Sequence, residues 1–551
     1  MSELLDRPVQ TAGGLTVHGA VAVDESAAAP ALPKLISDRV ARRLADRDPT
    51  LWGPQAEGEA RIRLGWVDTF RRSRELLPRL AQLRQELTGL DHVVLAGMGG
   101  SSLAPEVIAR TLGRPLTVLD TTDPQQVRAA LGDRLERTVV VVASKSGSTV
   151  ETESHRRAAL QAFLDAGLSP AEAGSRFVIV TDPGSAMSET AAEMGAHLIL
   201  ADPEVGGRFS ALTAFGLVPT ALAGVDVAEL LDQAEALSGS LARDTGNPAL
   251  ALGAALGSAA AGGRDKLALI SDGTGIEGFG DWAEQLVAES TGKHGRGILP
   301  VVVESPGAPG ATGEDVLTVT YGGALGPGAV PGGGISPDIA VNGPLGAQFL
   351  AWEYATAVAG VVLGIDPFDQ PNVTESKENT KRLLASGVAA ETPSFTDGAV
   401  QVYAPADAPQ ELTEVLRLLL DSAAPRGYLA VMAYLDRFGD ADAAGLRPLL
   451  AAATSRPVTF GWGPRFLHST GQYHKGGPAN GSFLQITGTP AADLPVPGQS
   501  YSFGELQAAQ AAGDRQALTE RDRPLVRLHL TDRAAGLAQL REAVEALLSG
   551  R

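Results

Sequence analysis

Residues Ser144–Thr149 read Ser-Lys-Ser-Gly-Ser-Thr and place four hydroxyls and one lysine within six positions. They follow the apolar run Thr138–Ala143, which reads as a buried strand, and they open a helical pattern. The first N–H groups of a helix have no partner within the helix, so a hydroxyl-rich helix start can bind an anion. Gly147 lets the backbone come close to such a ligand. A loop with many hydroxyls and little charge suits a terminal phosphate monoester. The spacing of a triphosphate loop, G-x-x-x-x-G-K-[ST], is absent. Helix capping by Ser and Thr would use fewer of these hydroxyls and is the plainer alternative.

A second turn, Gly97–Ser102 (GMGGSS), follows the apolar run His92–Ala96. It approaches the dinucleotide fingerprint G-x-G-x-x-G, but Ser102 stands at the third glycine. Asp120, at the end of the run Leu116–Asp120, occupies the place of a ribose-binding acid. A tight turn without a ligand fits the same residues. Adjacent parallel strands end at one sheet edge, so Gly100 and Ser101 are expected beside Ser144 and Ser146.

A third segment, Asp281–Ser290 (DWAEQLVAES), puts Gln285 and Glu289 one turn apart on a helix face, with Lys293, His294 and Arg296 beyond. Glu289 could be a general base, or it could lie on a solvated face. Arg208, preceded by Gly206 and Gly207, could hold an anion or sit at the surface beside a turn. His468, His474 and Lys475 share the Gly/Ser/Thr-containing stretch Leu467–Lys475, which points to a site. Lys377 closes Phe368–Lys377, which also holds Gln370, on a helix expected to be capped by Asn372 with Glu375.

The elements that carry these residues alternate. Val/Ile/Leu runs at His92–Ala96, Leu116–Asp120, Thr138–Ala143 and Phe177–Thr181 are separated by helical stretches, the signature of a parallel sheet covered on both faces. The pattern restarts at Lys266–Asp272 and continues through Gly297–Glu304, Val316–Tyr321, Tyr428–Tyr434 and Pro457–Phe460. Helix Gly346–Leu363 is apolar nearly all round and is expected to be buried. The reading is α/β: an N-terminal helical entry segment (1–75), then two tandem doubly wound units, 76–245 and 246–551. Each is expected to be a mainly parallel sheet flanked by helices, and the second to carry an inserted region and a C-terminal helix.

The chain has 551 residues, 44% hydrophobic and 20% charged, enough for two to four domains with real cores. A net charge of −19 disfavours nucleic acid and anionic membrane as partners, while leaving room for a basic pocket. With no cysteine, disulfides, thiolate nucleophiles and cysteine metal sites are excluded. The N-terminus is polar and the apolar runs are short of the ~20 residues of a membrane span, so a cytoplasmic protein is expected.

Taken together, GMGGSS, SKSGSTVET, VGGRFSALTAFGL, EQLVAESTGK, VLGIDPFDQP and LHSTGQ, from about residue 92 to 475, resemble the glucose-6-phosphate isomerase (phosphoglucose isomerase) family, built of two sugar isomerase (SIS) domains. The resemblance implies an aldose–ketose isomerase of glycolysis and gluconeogenesis that needs no metal or other cofactor and takes a sugar phosphate. It implies that Ser101, Ser144, Ser146 and Thr149 hold the phosphate, with Gly100 and Lys145 alongside. Gly207 and Arg208 would face the reacting carbons. Glu289 would be the base, with Gln285 one turn before it. Gln370 and Lys377 match the family's glutamine and catalytic lysine, and His468 its ring-opening histidine, with His474 as the fallback. Three departures stand out: His468 follows Lys377 where relatives have the histidine before the lysine; Asn372, Val373 and Thr374 replace the usual G-V-E; and residues from about 385 to 460 have no counterpart. A homodimer, with the histidine supplied in cis or in trans, is open. Alternatives are a bifunctional phosphoglucose/phosphomannose isomerase, a non-catalytic sugar-phosphate sensor of the same fold, and the dinucleotide-dependent oxidoreductase suggested by the glycine turn alone.

Overall fold

Burial on both faces explains the near-continuous apolar strands: every residue of β3 (His92–Gly97), β5 (Thr138–Ala143) and β6 (Phe177–Thr181) is buried. The computed structural model describes residues 9–19, 31–326, 331–332, 336–387 and 391–549, without the side chains of 373–377. With β4 (Thr117–Leu119) and β7 (His197–Leu200), these strands form an all-parallel sheet ordered β4-β3-β5-β6-β7.

The same strand order recurs twice. β8 (Lys266–Ser271), β9 (Leu299–Val303), β10 (Val316–Gly322) and β11 (Ile339–Asn342) are parallel in the order β11-β10-β8-β9. The hairpin β1 (Val9–Ala12) and β2 (Leu15–His18) lies antiparallel along β11. In the third sheet, β14 (Tyr428–Tyr434), β15 (Val458–Trp462), β16 (Gly481–Gly488) and β17 (Leu525–Leu530) repeat this order as β17-β16-β14-β15. A hairpin of β12 (Phe395–Asp397) and β13 (Val400–Tyr403) again runs antiparallel along the fourth strand. The α/β class with parallel-rich sheets holds. The stretch 246–551, expected to hold one sheet, contains two, and the entry segment lends a hairpin to the first of them. The residues near 385–460 begin the third sheet.

Six helices position the site: α1 (Val150–Asp165), α2 (Phe279–Thr291), α3 (Leu345–Leu363), α4 (Pro371–Ser386), α5 (Gly471–Gly476) and α6 (Phe503–Thr519). α3 is buried nearly all round, as its composition requires. Its Phe349 and Trp352 pack against Phe279 and Trp282 of α2 at ring separations of 4.7–5.9 Å, fixing α2 over the second sheet. The third sheet has its own apolar cluster, and charged groups dock it on the first sheet. Arg533 reaches Asp123 at 2.7 Å, while Arg465 reaches Glu106 at 2.6 Å and Asp120 at 3.2 Å. Burial pushes the Glu106 carboxyl up, but the guanidinium groups of Arg465 and Arg437 outweigh it and bring the carboxyl down to about 2.

Candidate active site

A cavity of about 590 Å³ opens where the C-terminal ends of the first sheet's strands meet α2 and the His468 segment. One end is the hydroxyl-rich loop. Register places Gly97 beside Ala143, so the turn after β3 and the loop after β5 lie side by side, and Gly100, Ser101, Ser144, Lys145, Ser146 and Thr149 all line the cavity. Thr149 is the N-cap of α1, yet its side chain makes no capping bond. Ser144 Oγ instead donates to Thr149 Oγ1 at 3.1 Å, and Ser146 shares a 3.0 Å hydrogen bond with Ser148. These hydroxyls bond to one another, leaving the helix start open to an anion. Lys145 Nζ sits 2.6 Å from Asp182 Oδ2.

The other end is built around Arg208, which is 3% exposed. Its Nε donates to Ser290 Oγ at 2.8 Å. One terminal nitrogen bonds Glu289 Oε1 at 3.1 Å and Gln370 Oε1 at 2.7 Å; the other bonds the carbonyls of Pro367 at 2.6 Å and Asp369 at 3.0 Å. Gln285 Nε2 donates to the second oxygen of Glu289 at 3.0 Å. The i, i+4 spacing of Gln285 and Glu289 therefore faces the cavity and not solvent: both residues are buried. The turn carrying Gly207 and Arg208 meets the first glycine turn directly. A Cβ on Gly100 would fall 1.9 Å from Gly207 O, so only glycine permits this approach.

His468 reaches the cavity from the third sheet's side. Its Nε2 lies 3.1 Å from Glu151 Oε1 in the first turn of α1, and Gln510 Nε2 of α6 donates to the same oxygen at 2.7 Å. His474 does not line the cavity. It is buried against Tyr428, whose hydroxyl lies 2.9 Å from its Nδ1, and burial, with Lys475 and Arg523, lowers its pKa to about 3. Lys377 falls in α4, directly after Gln370, but its side chain lies outside the described residues. Asp120 is spoken for: Ser102 and Arg465 both contact its Oδ2, and at 1% exposed it is shut off from the cavity. That removes the ribose-binding acid of the dinucleotide reading.

The sequence reading missed Glu59, Arg63, Asp182 and Asp369, which also line the cavity, and Glu151 behind His468. Glu151 and Asp369 lie inside segments already singled out, so their place in those segments was the available signal. Arg63 had none: the bridge of Leu64 to Val205 pins its segment to the loop before Arg208. Among the described residues no group of His, Cys, Asp and Glu could hold a metal ion, and no helix is long and apolar enough to cross a membrane. Chemically, the cavity can hold a phosphate at one end and move a proton at the other. There a carboxylate stands beside a guanidinium, with an imidazole lining the same space.

The family described as Phosphoglucose isomerase matches residues 84–294. The chain is similar to a glucose-6-phosphate isomerase of Rubrobacter xylanophilus, 30% identical over 380 residues, covering 56% of this chain and 86% of that protein. It is also similar to a probable glucose-6-phosphate isomerase of Haloarcula marismortui, 35% identical over 215 residues, covering 38% of this chain and 49% of that one. The chain thus spans about half the length of this second relative. Among solved structures, a glucose-6-phosphate isomerase from Chlamydia trachomatis is similar in fold, with a TM-score of 0.53 and 21% identity over 70% of this chain and 91% of that one.

Proposed function

Because this chain belongs to the phosphoglucose isomerase family, we propose that it interconverts glucose 6-phosphate and fructose 6-phosphate through a cis-enediolate. One observation carries this reading: the buried Arg208–Glu289–Gln285 cluster shares a cavity with the hydroxyl-bearing loop residues Ser144, Ser146 and Thr149. The phosphate sits on Ser101, Ser144, Ser146 and Thr149 at the start of α1, with Lys145 beside it. Its binding energy goes into placing the sugar. His468, oriented by Glu151, and Lys377 open the ring by moving a proton onto the ring oxygen. Lys377 is assigned from its segment alone. Glu289 takes the proton from C2 and returns it to C1. Arg208, already fixed by five hydrogen bonds, faces the oxygens on which negative charge develops. Gln285 and Gln370 hold the two sides of this charge cluster.

The test is turnover of glucose 6-phosphate in a coupled assay, with exchange of the C2 proton followed in the Glu289→Gln variant. An amide at 289 can still accept from Arg208, and a flipped Gln285 offers its unpartnered Oε1 to the new NH2 group, so the fold and sugar-phosphate binding should survive. Exchange should be lost with turnover. Near wild-type C2 exchange in this variant would refute the role given to Glu289, and a wild type inactive on glucose 6-phosphate would refute the reaction.

A further inference from the structure

We propose that Lys293 is a positioning residue for this reaction: its ammonium group locks the 366–370 loop to the end of α2 and thereby sets where Arg208 stands. The inference rests on the isomerase reading above.

Lys293 lies just beyond α2 and is 1% exposed. Its Nζ stands 2.6 Å from Asp369 Oδ1 and donates to the carbonyl of Asp366. The same loop supplies the Pro367 and Asp369 carbonyls and the Gln370 amide that hold Arg208. Arg208 in turn reaches back to Glu289 and Ser290 on α2. The contacts therefore close a ring: α2 to Arg208, Arg208 to the loop, the loop to Lys293, and Lys293 back to α2. Without the lysine the loop would keep Arg208 itself and the more distant bridge through Gln472, which joins Gly292 O to Asn372 just past the loop, so the carbonyls that hold Arg208 would be less closely fixed to α2. A buried ammonium is costly unless paired, and an apolar side chain could fill the same space. What the lysine adds is the tie.

This tie can titrate. Burial, with Arg208 nearby, brings the Lys293 pKa down to about 8 from its usual 10.5, against the opposing pull of Asp369 and Asp366. The other charged groups nearby are committed elsewhere. Arg296 donates to Leu363 O at 3.1 Å, His294 is exposed, and Lys475 of α5 points to Asp514 at 2.6 Å. α5 meets the end of α2 through Gln472, which donates to Gly292 O at 3.0 Å, and Tyr473. As pH rises through about 8, the ammonium loses its proton and its ion pair with Asp369, and Arg208 is held less firmly. The phosphate end of the cavity does not take part.

The experiment measures kcat and KM for glucose 6-phosphate between about pH 6.5 and 9.5 in the full chain and in the Lys293→Met, Lys293→Arg and Asp369→Asn variants, with melting curves alongside. In the wild type, kcat should fall through a limb near pH 8. Lys293→Met should lose about tenfold or more in kcat, with KM within about threefold, because a displaced arginine costs transition-state stabilisation. Lys293→Arg, permanently charged, should move the limb upward, and Asp369→Asn, which removes the supporting anion, should move it downward. A wild-type kcat in Lys293→Met, or a limb that neither other variant moves, overturns the proposal. If Lys293→Met does not fold, the two limb shifts decide. If the wild type turns over no glucose 6-phosphate, the isomerase reading fails and not merely this inference.

Discussion

Replacing Gly100 with alanine tests the geometry of the site more sharply than removing a charged residue, because the perturbation is one methyl group directed at the backbone of Gly207. The added Cβ would sit 1.9 Å from Gly207 O and 2.3 Å from Gly207 C. Reaching even 3.0 Å from the oxygen requires a displacement of about 1.1 Å between the turn after β3 and the turn carrying Arg208. Overpacking of this kind costs about 1–3 kcal/mol. A misplacement of about 1 Å in a catalytic group can cost about 10²-fold in rate. We therefore expect Gly100→Ala to lose roughly 10²-fold in kcat and to melt a few degrees lower. Gly207→Ala is the control, since its Cβ would meet nothing within 4 Å. Its melting temperature should match the wild type, even if a methyl facing the cavity raises KM. Steady-state kinetics and thermal melts on both variants decide. Wild-type kcat and melting in Gly100→Ala, or equal thermal damage in Gly207→Ala, would refute the argument.

Other expectations follow from the same geometry. His468 and Glu289 line one cavity within one chain, so mixing and co-refolding Glu289→Gln with His468→Ala should restore no activity. Recovery of about a quarter of the wild-type rate would mean that sites are assembled between chains. His474 should have no catalytic role: a His474→Gln variant that loses turnover while keeping its melting temperature would contradict this. The same residue should leave a signature in stability. Its folded pKa of about 3 lies below its ordinary 6.5, so the unfolded chain binds the extra proton between those values. Stability is therefore complete above about pH 6.5 and falls by up to ~1.4 kcal/mol per pH unit below it, a slope that His474→Gln should flatten in urea titrations.

How far the sequence could be read depended on the range of each interaction. Ser144–Thr149 was readable because strand, loop and helix start are consecutive, and the open helix start is a local property of six residues. Gln285 and Glu289 were readable as neighbours from helical spacing, but which way they faced was not: α3, which presses α2 into the core, lies beyond residue 345. Asp120 was left open between two readings for the same reason. Its position at a strand end is local, whereas Arg465, which claims it, comes from the third sheet. The hairpins were invisible because a four-residue strand such as Leu15–His18 has too short a pattern, and its sheet partner β11 is over three hundred residues away.

The third sheet explains how a histidine placed after Lys377 in the chain can still serve the site. Its docking contacts are concentrated on elements that also build the cavity: Arg465 binds Glu106 and Asp120 beside the first glycine turn, and Gln510 of α6 binds the Glu151 that holds His468. Ser469, the residue after His468, donates to Glu284 at 3.1 Å, the residue before Gln285 on α2. Burial, with Asp281 nearby, raises the Glu284 pKa to about 8, so at neutral pH this contact joins a hydroxyl to a protonated acid and adds no net charge beside Glu289. The histidine segment is therefore fixed to both α1, through Glu151, and α2, through Glu284. The position of His468 in the cavity is thus set from two sides, although the cavity-lining residues come from three separate sheets.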